Sequence, residues 1–376
     1  MNAGERIEVT YRVAASQDRI GAVATAIAIE QSIECPLEAV DDRRVIDEVL
    51  GRVSSITAVG EGVHEVVVSL AVETLSGDVA QGMNMLFGNT SLHEHVQLVD
   101  VAFPPAVARD WPGPRFGLEG IRALTGVQGR ALTCAALKPQ GLPVDRLAEL
   151  CRTFARAGVD VIKDDHGLAD QAIAPFAARV QACQQAVDAV RRETGSRVQY
   201  VPNLVGSPRT LVAQARLAAD EGCGMVMMAP GLVGLPVFAE MVSEHLRVPV
   251  LAHPSMGGAA RIAPPLLFGT LYRLLGADAV IFVNHGGRFG YSRETSIAIA
   301  DRARARWEGV PAALPVPAGG MTVERVPALL ADYGADTMLL IGGSLLVAGD
   351  ALLERTRRFV SMVQAGAPVQ CVSNTD

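Results

Sequence analysis

Long apolar runs, basic clusters and paired cysteines are all missing from this 376-residue chain, and each absence removes a class of function. No stretch is apolar for long enough to span a bilayer, and the opening Met1-Asn-Ala-Gly-Glu-Arg6 lacks the basic-then-apolar pattern of a signal peptide. A cytoplasmic location is expected. There is no Lys/Arg run, and the formal net charge is -7 with a pI near 5.6, so neither nucleic acid nor an anionic membrane is expected as a partner. Cys35, Cys134, Cys151, Cys183, Cys223 and Cys371 show no CxxC spacing, so neither a disulfide framework nor a zinc site is indicated, and most are expected to be reduced core residues. What the chain has in quantity is apolar residue, 49% against 19% charged, enough for a large core and for two domains. The expected ligand is a small molecule.

From about Arg130 onward, short Val/Ile/Leu-rich runs alternate with longer amphipathic stretches, the pattern of repeated βα units around a parallel sheet. Eight units are predicted, with strands at 131–138, 159–163, 197–203, 224–228, 248–253, 279–283, 313–318 and 337–341. Predicted helices include 144–157, 208–221, 236–246, 264–275, 323–333 and 348–363, several opening on proline near the first turn. Eight such units close most economically into a (β/α)8 TIM barrel of roughly 250 residues, with a doubly wound sheet as the runner-up. Residues 1–112 read as an N-terminal α+β sandwich domain with strands at 6–13, 64–71 and 95–101 and helices at 20–31 and 79–87. The Pro-rich segment 103–114 is the expected linker, and 113–376 the barrel domain.

A barrel places its working residues at the C-terminal ends of its strands, where this chain carries Lys138, Lys163-Asp164-Asp165-His166, Asn203, His253, Gly319-Gly320 and Gly342-Gly343. The segment Gly158-Val-Asp-Val-Ile-Lys163-Asp164-Asp165-His166 runs an apolar strand straight into four polar side chains. Lysine and aspartate are rarely buried without a partner, and a hard divalent cation suits oxygen from Asp165 with a nitrogen from His166. A solvated strand-to-helix loop is the plain alternative. Glycine pairs after the seventh and eighth strands fall where barrels build a phosphate site from backbone N–H groups, which points to a phosphorylated substrate. Asn203 is grouped with that substrate site. Lys138, stiffened by Pro139, faces the mouth, and a lysine near a second cation can serve as a general base, or else snorkel to solvent. His253 reads as a proton carrier or as a satisfied core imidazole.

Taken in order, Lys138-Pro139, Gly158-Val-Asp-Val-Ile-Lys163-Asp164-Asp165, His253-Pro-Ser-Met, Pro317-Ala-Gly319-Gly320 and Ile341-Gly342-Gly343 resemble the ribulose-bisphosphate carboxylase (RuBisCO) large-chain superfamily. Ala26-Ile-Ala-Ile-Glu30-Gln-Ser and Phe87-Gly88-Asn89 extend the resemblance into the N-terminal domain, so that it covers nearly the whole chain. The resemblance implies that CO2 carbamylates Lys163, which with Asp165 and position 166 holds Mg2+. It implies Lys138 beside the reacting carbons, His253 as a hydroxyl or proton-transfer contact, and Gly319, Gly320, Gly342 and Gly343 as the phosphate cradle. Glu30 and Asn89 would come from a partner subunit, in a homodimer or an assembly of dimers.

Departures from the carboxylase pattern narrow the reading. Gln140 stands where a lysine is expected, His166 where a glutamate completes the metal triad, Pro254 where an arginine contacts phosphate, and Ala318 where a serine precedes the glycines. The loop after the sixth strand, Val283-Asn-His-Gly-Gly-Arg288-Phe-Gly290, lacks the lysine that meets CO2. The expectation is a RuBisCO-like protein (form IV) that enolises a phosphorylated sugar through a Mg2+-held enediolate without fixing CO2. Arg288, able to bind a carboxylate bidentately, leans the reading toward a decarboxylase of 3-oxo acid sugar phosphates of the 3-oxo-isoapionate 4-phosphate type. The alternative is a 5-methylthioribulose 1-phosphate isomerase or enolase of methionine salvage. A metal-dependent aldolase without carbamylation and a non-catalytic sugar-phosphate-binding barrel complete the alternatives.

Overall fold

Alternation of apolar and polar residues in the first hundred positions builds a sheet with one covered face. In the computed structural model, which describes residues 4–366, β1 (Arg6–Ala14), β2 (Arg52–Gly60), β3 (Val63–Ala71) and β4 (Val96–Ala102) form an antiparallel sheet in the order β2-β3-β1-β4. Ile7, Val9, Tyr11 and Val13 of β1 and Val66, Val68 and Leu70 of β3 share one core with the helices Ile20–Glu30 and Val79–Phe87. Strand β2 is not among the sequence expectations. Nearly all of its residues are exposed, so it carries no apolar alternation and is held by its ladder to β3. The expected linker is partly ordered: the helix Pro105–Asp110 buries Val107 and Ala108, and Trp111 follows it into the core. Cys371 lies outside the described residues; Cys134, Cys151, Cys183 and Cys223 are buried and unpaired.

The second domain is the expected (β/α)8 barrel. Its strands are β5 (Leu132–Leu137), β6 (Val161–Asp164), β7 (Gln199–Val201), β8 (Val226–Met228), β9 (Val250–Ala252), β10 (Ala279–Val283), β11 (Leu314–Ala318) and β12 (Met338–Ile341). Two parallel runs, β12-β5-β6-β7 and β8-β9-β10-β11, meet on one side through a bridge between Asn203 and Met227. On the other side Pro315 and Pro317 turn their missing donors toward β12, because Leu314 N–H is given to Asp278 on the β10 side. The Thr337 hydroxyl closes that seam on the Pro315 carbonyl at 3.0 Å. Helices Phe176–Thr194 and Arg293–Arg304 follow β6 and β10, where the sequence reading names none. At the strands' N-terminal ends, Asp278 accepts the N–H groups of Phe116 (2.7 Å) and Gly117 (2.6 Å) and so seats the helix Gly117–Thr125 there. The two domains are joined where Leu98 pairs with 261–263 and where Arg302 makes a two-pronged ion pair with Asp100 at 2.6 and 2.9 Å.

Two apolar sets divide the barrel strands by pleat. Leu132, Cys134 and Ala136, Val161, Val201, Met227, Leu251, Ala279 and Ile281, Leu314 and Val316, and Met338 and Leu340 fill the interior, while Ala135, Leu137 and Ile162 pack outward under the helices. Side chains alternate along a strand, so the interior set fixes which residues face the mouth one pleat further on.

Candidate active site

Counting by twos along the interior face gives Lys138 after Ala136, Lys163 and Asp165 after Val161, His253 after Leu251, Ala318 after Val316 and Gly342 after Leu340. All six line one cavity of about 810 Å³ at the C-terminal mouth, together with His166, Ser255, Arg288, Gly319, Gly320 and Gly343. Lys138 Nζ lies 2.5 Å from Asp165 Oδ2, and His166 Nδ1 lies 3.2 Å from Asp165 Oδ1. Burial works against the ionised carboxylate, but the His166 and Lys138 bonds and the charge of Lys163 outweigh it and hold Asp165 well below the usual carboxylate range. The His166 ring stacks on His253 at 4.4 Å and 16°, and burial pushes His253 well below the ordinary imidazole value.

Lys163 is buried and its Nζ donates to the Asp164 carbonyl at 2.6 Å. Burial lowers its pKa, which raises the share of neutral amine. Asp164 is out of phase with its two neighbours and points away from the cavity. There it meets Arg179 Nε (3.1 Å), the Tyr200 hydroxyl (2.9 Å) and the Asn203 N–H (3.1 Å), in a fully buried network. Asn203 corrects its expected role in substrate binding. Its side-chain amide donates to the His166 and Leu168 carbonyls, both at 3.0 Å, and it does not line the cavity; it holds the turn after β6.

Gly319 and Gly320 both sit at positive φ (+89 and +73), and the loop 284–291 folds back onto them. A Cβ on Gly320 would stand 2.7 Å from Gly287 Cα, so the close approach of loop and glycine pair requires a residue without one. Arg288 is exposed at the rim, its guanidinium 5.0 Å from the Phe289 ring centre. Glu30 and Asn89 are brought together by a 2.8 Å hydrogen bond from the Asn89 amide, but neither lines the cavity of its own barrel.

Among the described residues no three His, Cys, Asp or Glu side chains are placed to hold a metal ion together. The donor set fits a hard cation only if Lys163 changes sign. As an amine it adds positive charge beside Asp165; as a carbamate it would add a second anionic oxygen donor, with His166 or water completing the set. Sequence reasoning missed Arg179, Tyr200 and Ser255. The signal for Arg179 was its place in the stripe Phe176, Val180, Cys183, Val187, Val190, an arginine on an otherwise apolar helix face. A second signal went unused: the chain contains just two lysines, and both stand in this cavity.

A TIM barrel with a carboxylate, two lysines and two histidines at its mouth, opposite paired glycines, has the site layout of a small-molecule enzyme. Residues 117–261 match the model of the ribulose bisphosphate carboxylase large chain, catalytic domain. The chain is 50% identical over 368 residues to a 5-methylthioribulose-1-phosphate isomerase of Rhodospirillum rubrum, covering 98% of each protein. It is 33% identical over 340 residues to a 2,3-diketo-5-methylthiopentyl-1-phosphate enolase of Geobacillus kaustophilus, covering 87% of this chain and 82% of that one. The crystal structure of a Rubisco-like protein from Rhodopseudomonas palustris superposes with a TM-score of 0.89 at 45% identity, over 96% of this chain and 97% of that one. The chain belongs to the RuBisCO large-chain family, as a RuBisCO-like enzyme. These two relatives are named for 5-methylthio sugar phosphates and not for a 3-oxo acid, which favours the alternative substrate reading over the 3-oxo acid lean.

Proposed function

We propose that this enzyme enolises a 5-methylthio-ketopentose phosphate, with isomerisation of 5-methylthioribulose 1-phosphate as the net reaction, and that it does not fix CO2. The observation that carries the reading is the 2.5 Å Lys138–Asp165 pair, which shares one cavity with the glycine pairs after β11 and β12. Support for the isomerase comes from the relative of that name at 50% identity; the enolase of the same substrate family is the second reading, supported at 33%. The decarboxylase lean rested on Arg288, which stacks on its own neighbour at the rim.

The backbone at 319–320 and 342–343 receives the phosphate, and the carbonyl end of the substrate lies toward Lys138 and His253. Lys138 takes the proton from the carbon beside the carbonyl. The C–H electron pair becomes a C=C bond and the carbonyl pair moves to oxygen, giving an enediolate; the hydroxyl proton passes from one enediolate oxygen to the other as a proton returns to the former carbonyl carbon, so the carbonyl is moved with no change in atoms. His253 assists at the substrate oxygens. Asp165, carbamylated Lys163 and His166 would hold Mg2+, which would supply positive charge near the substrate oxygens. Glu30 and Asn89 complete the site from a partner subunit.

The test is proton NMR of 5-methylthioribulose 1-phosphate in D2O with enzyme preincubated with bicarbonate and Mg2+. The expected result is a ketone isomer carrying deuterium beside its carbonyl, and no acid-stable product from ribulose bisphosphate with labelled CO2. Turnover of a 3-oxo acid sugar phosphate in place of the thio-ketose would overturn the substrate assignment. Full activity in CO2-free, chelator-treated enzyme would overturn the carbamate.

A further inference from the structure

His253 ends β9 with its Nδ1 already engaged twice by the chain itself. The backbone N–H of Ser255 lies 3.2 Å from it and the Ser255 hydroxyl 2.9 Å. A backbone N–H can only donate, so Nδ1 is the acceptor and cannot carry the ring proton. The neutral ring then holds its proton on Nε2, which has no hydrogen-bond partner among the described residues while the ring lines the cavity.

The turn that aims this N–H is strained. Gly257 N–H closes it on the Pro254 carbonyl at 2.9 Å, and Met256 sits in the left-handed region at φ +65, a conformation that costs a side-chain-bearing residue energy. Gly231, in the short helix Pro230–Val233 after β8, buttresses it: a Cβ there would stand 2.5 Å from the Ser255 carbonyl oxygen. Strain kept in place by close packing marks a conformation that the surrounding fold dictates.

We propose that the turn 254–257 locks His253 as an Nε2–H hydrogen-bond donor, so that His253 binds a substrate oxygen and does not carry the substrate's proton, with Ser255 as its positioning residue. The substrate oxygen rests on the reading above; the tautomer does not. Nε2 can take a proton only in a ring whose Nδ1 carries the hydrogen and has no lone pair left for the Ser255 N–H, and protonating Nδ1 would break that backbone bond.

Nitrogen-15 NMR of the full-length protein at neutral pH, with His253 assigned through His253→Gln, reads the tautomer without any substrate. A neutral Nε2–H ring is expected in the wild type. In Gly231→Ala, which displaces the turn from outside the site, and in Ser255→Ala, which removes one of the two Nδ1 bonds, the Nδ1 signal should shift, with kcat falling several-fold and KM little changed. On whichever ketose phosphate is turned over, His253→Gln should retain activity within about tenfold, because its amide reproduces a donor near Nε2, whereas His253→Ala should lose about 10²-fold or more, as removal of a donor to a developing oxyanion does. An Nδ1–H or doubly protonated ring in the wild type overturns the proposal, as does a folded His253→Gln no more active than His253→Ala. Failure of every ketose phosphate to react, with the Nε2–H ring still observed, sinks the substrate reading alone.

Discussion

Asp164 and Asp165 are adjacent in sequence and do opposite work. One side chain is turned outward into an entirely buried pair with Arg179, the other inward to the cavity beside Lys138. The alternation of a strand divides them, and that division was legible: the KDD segment pointed to a site, and the interior pleat selects Lys163 and Asp165. The partners of Asp164 were not legible, because Arg179 and Tyr200 lie on other elements that only the closed barrel brings near. Breaking such a pair from one side leaves an uncompensated buried charge, so Asp164→Ala should lose about 3–5 kcal/mol by urea denaturation. For Asp165 the sign follows from its lowered pKa. A carboxyl held below its unfolded value stabilises the fold above about pH 4 and loses that contribution as pH falls further, so the metal-free wild type should exceed Asp165→Asn in stability at pH 7 by more than at pH 3.5. An unchanged gap between those two pH values would show that the carboxylate's partners contribute nothing to the fold. Lys138→Ala tests the chemistry directly, and loss of about 10²- to 10⁴-fold in turnover with the fold intact is the expected outcome.

Elements were legible in proportion to how much apolar surface each buries. The eight barrel strands showed as apolar runs because both of their faces are covered, whereas β2, exposed along nearly its whole length, left no such trace. The loop after β10 lacks a lysine in its sequence, and the fold fixes it from outside the barrel mouth. Arg325 donates to the His285 and Gly286 carbonyls at 3.0 and 3.1 Å, Asp332 bonds His285 at 2.9 Å, and the Tyr333 hydroxyl donates to Asn284 at 2.6 Å. The loop therefore stands as a wall anchored to the helix Val326–Tyr333 and the residues before it, and its inner side rests on Gly319 and Gly320. Gly320→Ala would press a methyl on the backbone of Gly287 and Arg288, which cannot yield as a flexible side chain would. The expected result is a KM for the phosphorylated substrate raised at least tenfold with a smaller loss of thermal stability, and an unchanged KM would remove this glycine from the cradle.

At the scale of the whole molecule, the chain places Glu30 and Asn89 in hydrogen-bond contact while keeping both out of its own cavity. Two residues with no business at their own barrel are explained if they serve another, and the sequence could suggest this only by resemblance, since no spacing in one chain encodes a second copy. The consequence is measurable by complementation. Glu30→Ala and Lys163→Ala homodimers should each be inactive, one lacking a donated group at both sites and the other lacking the lysine at both. In a mixed dimer one barrel combines an intact Lys163 with an intact Glu30 from its partner, and the other barrel carries both lesions. Coexpression at equal levels makes half the dimers mixed, so about a quarter of wild-type activity should return. If Glu30 acts within its own chain, every barrel in the mixture carries one lesion or the other and no activity returns.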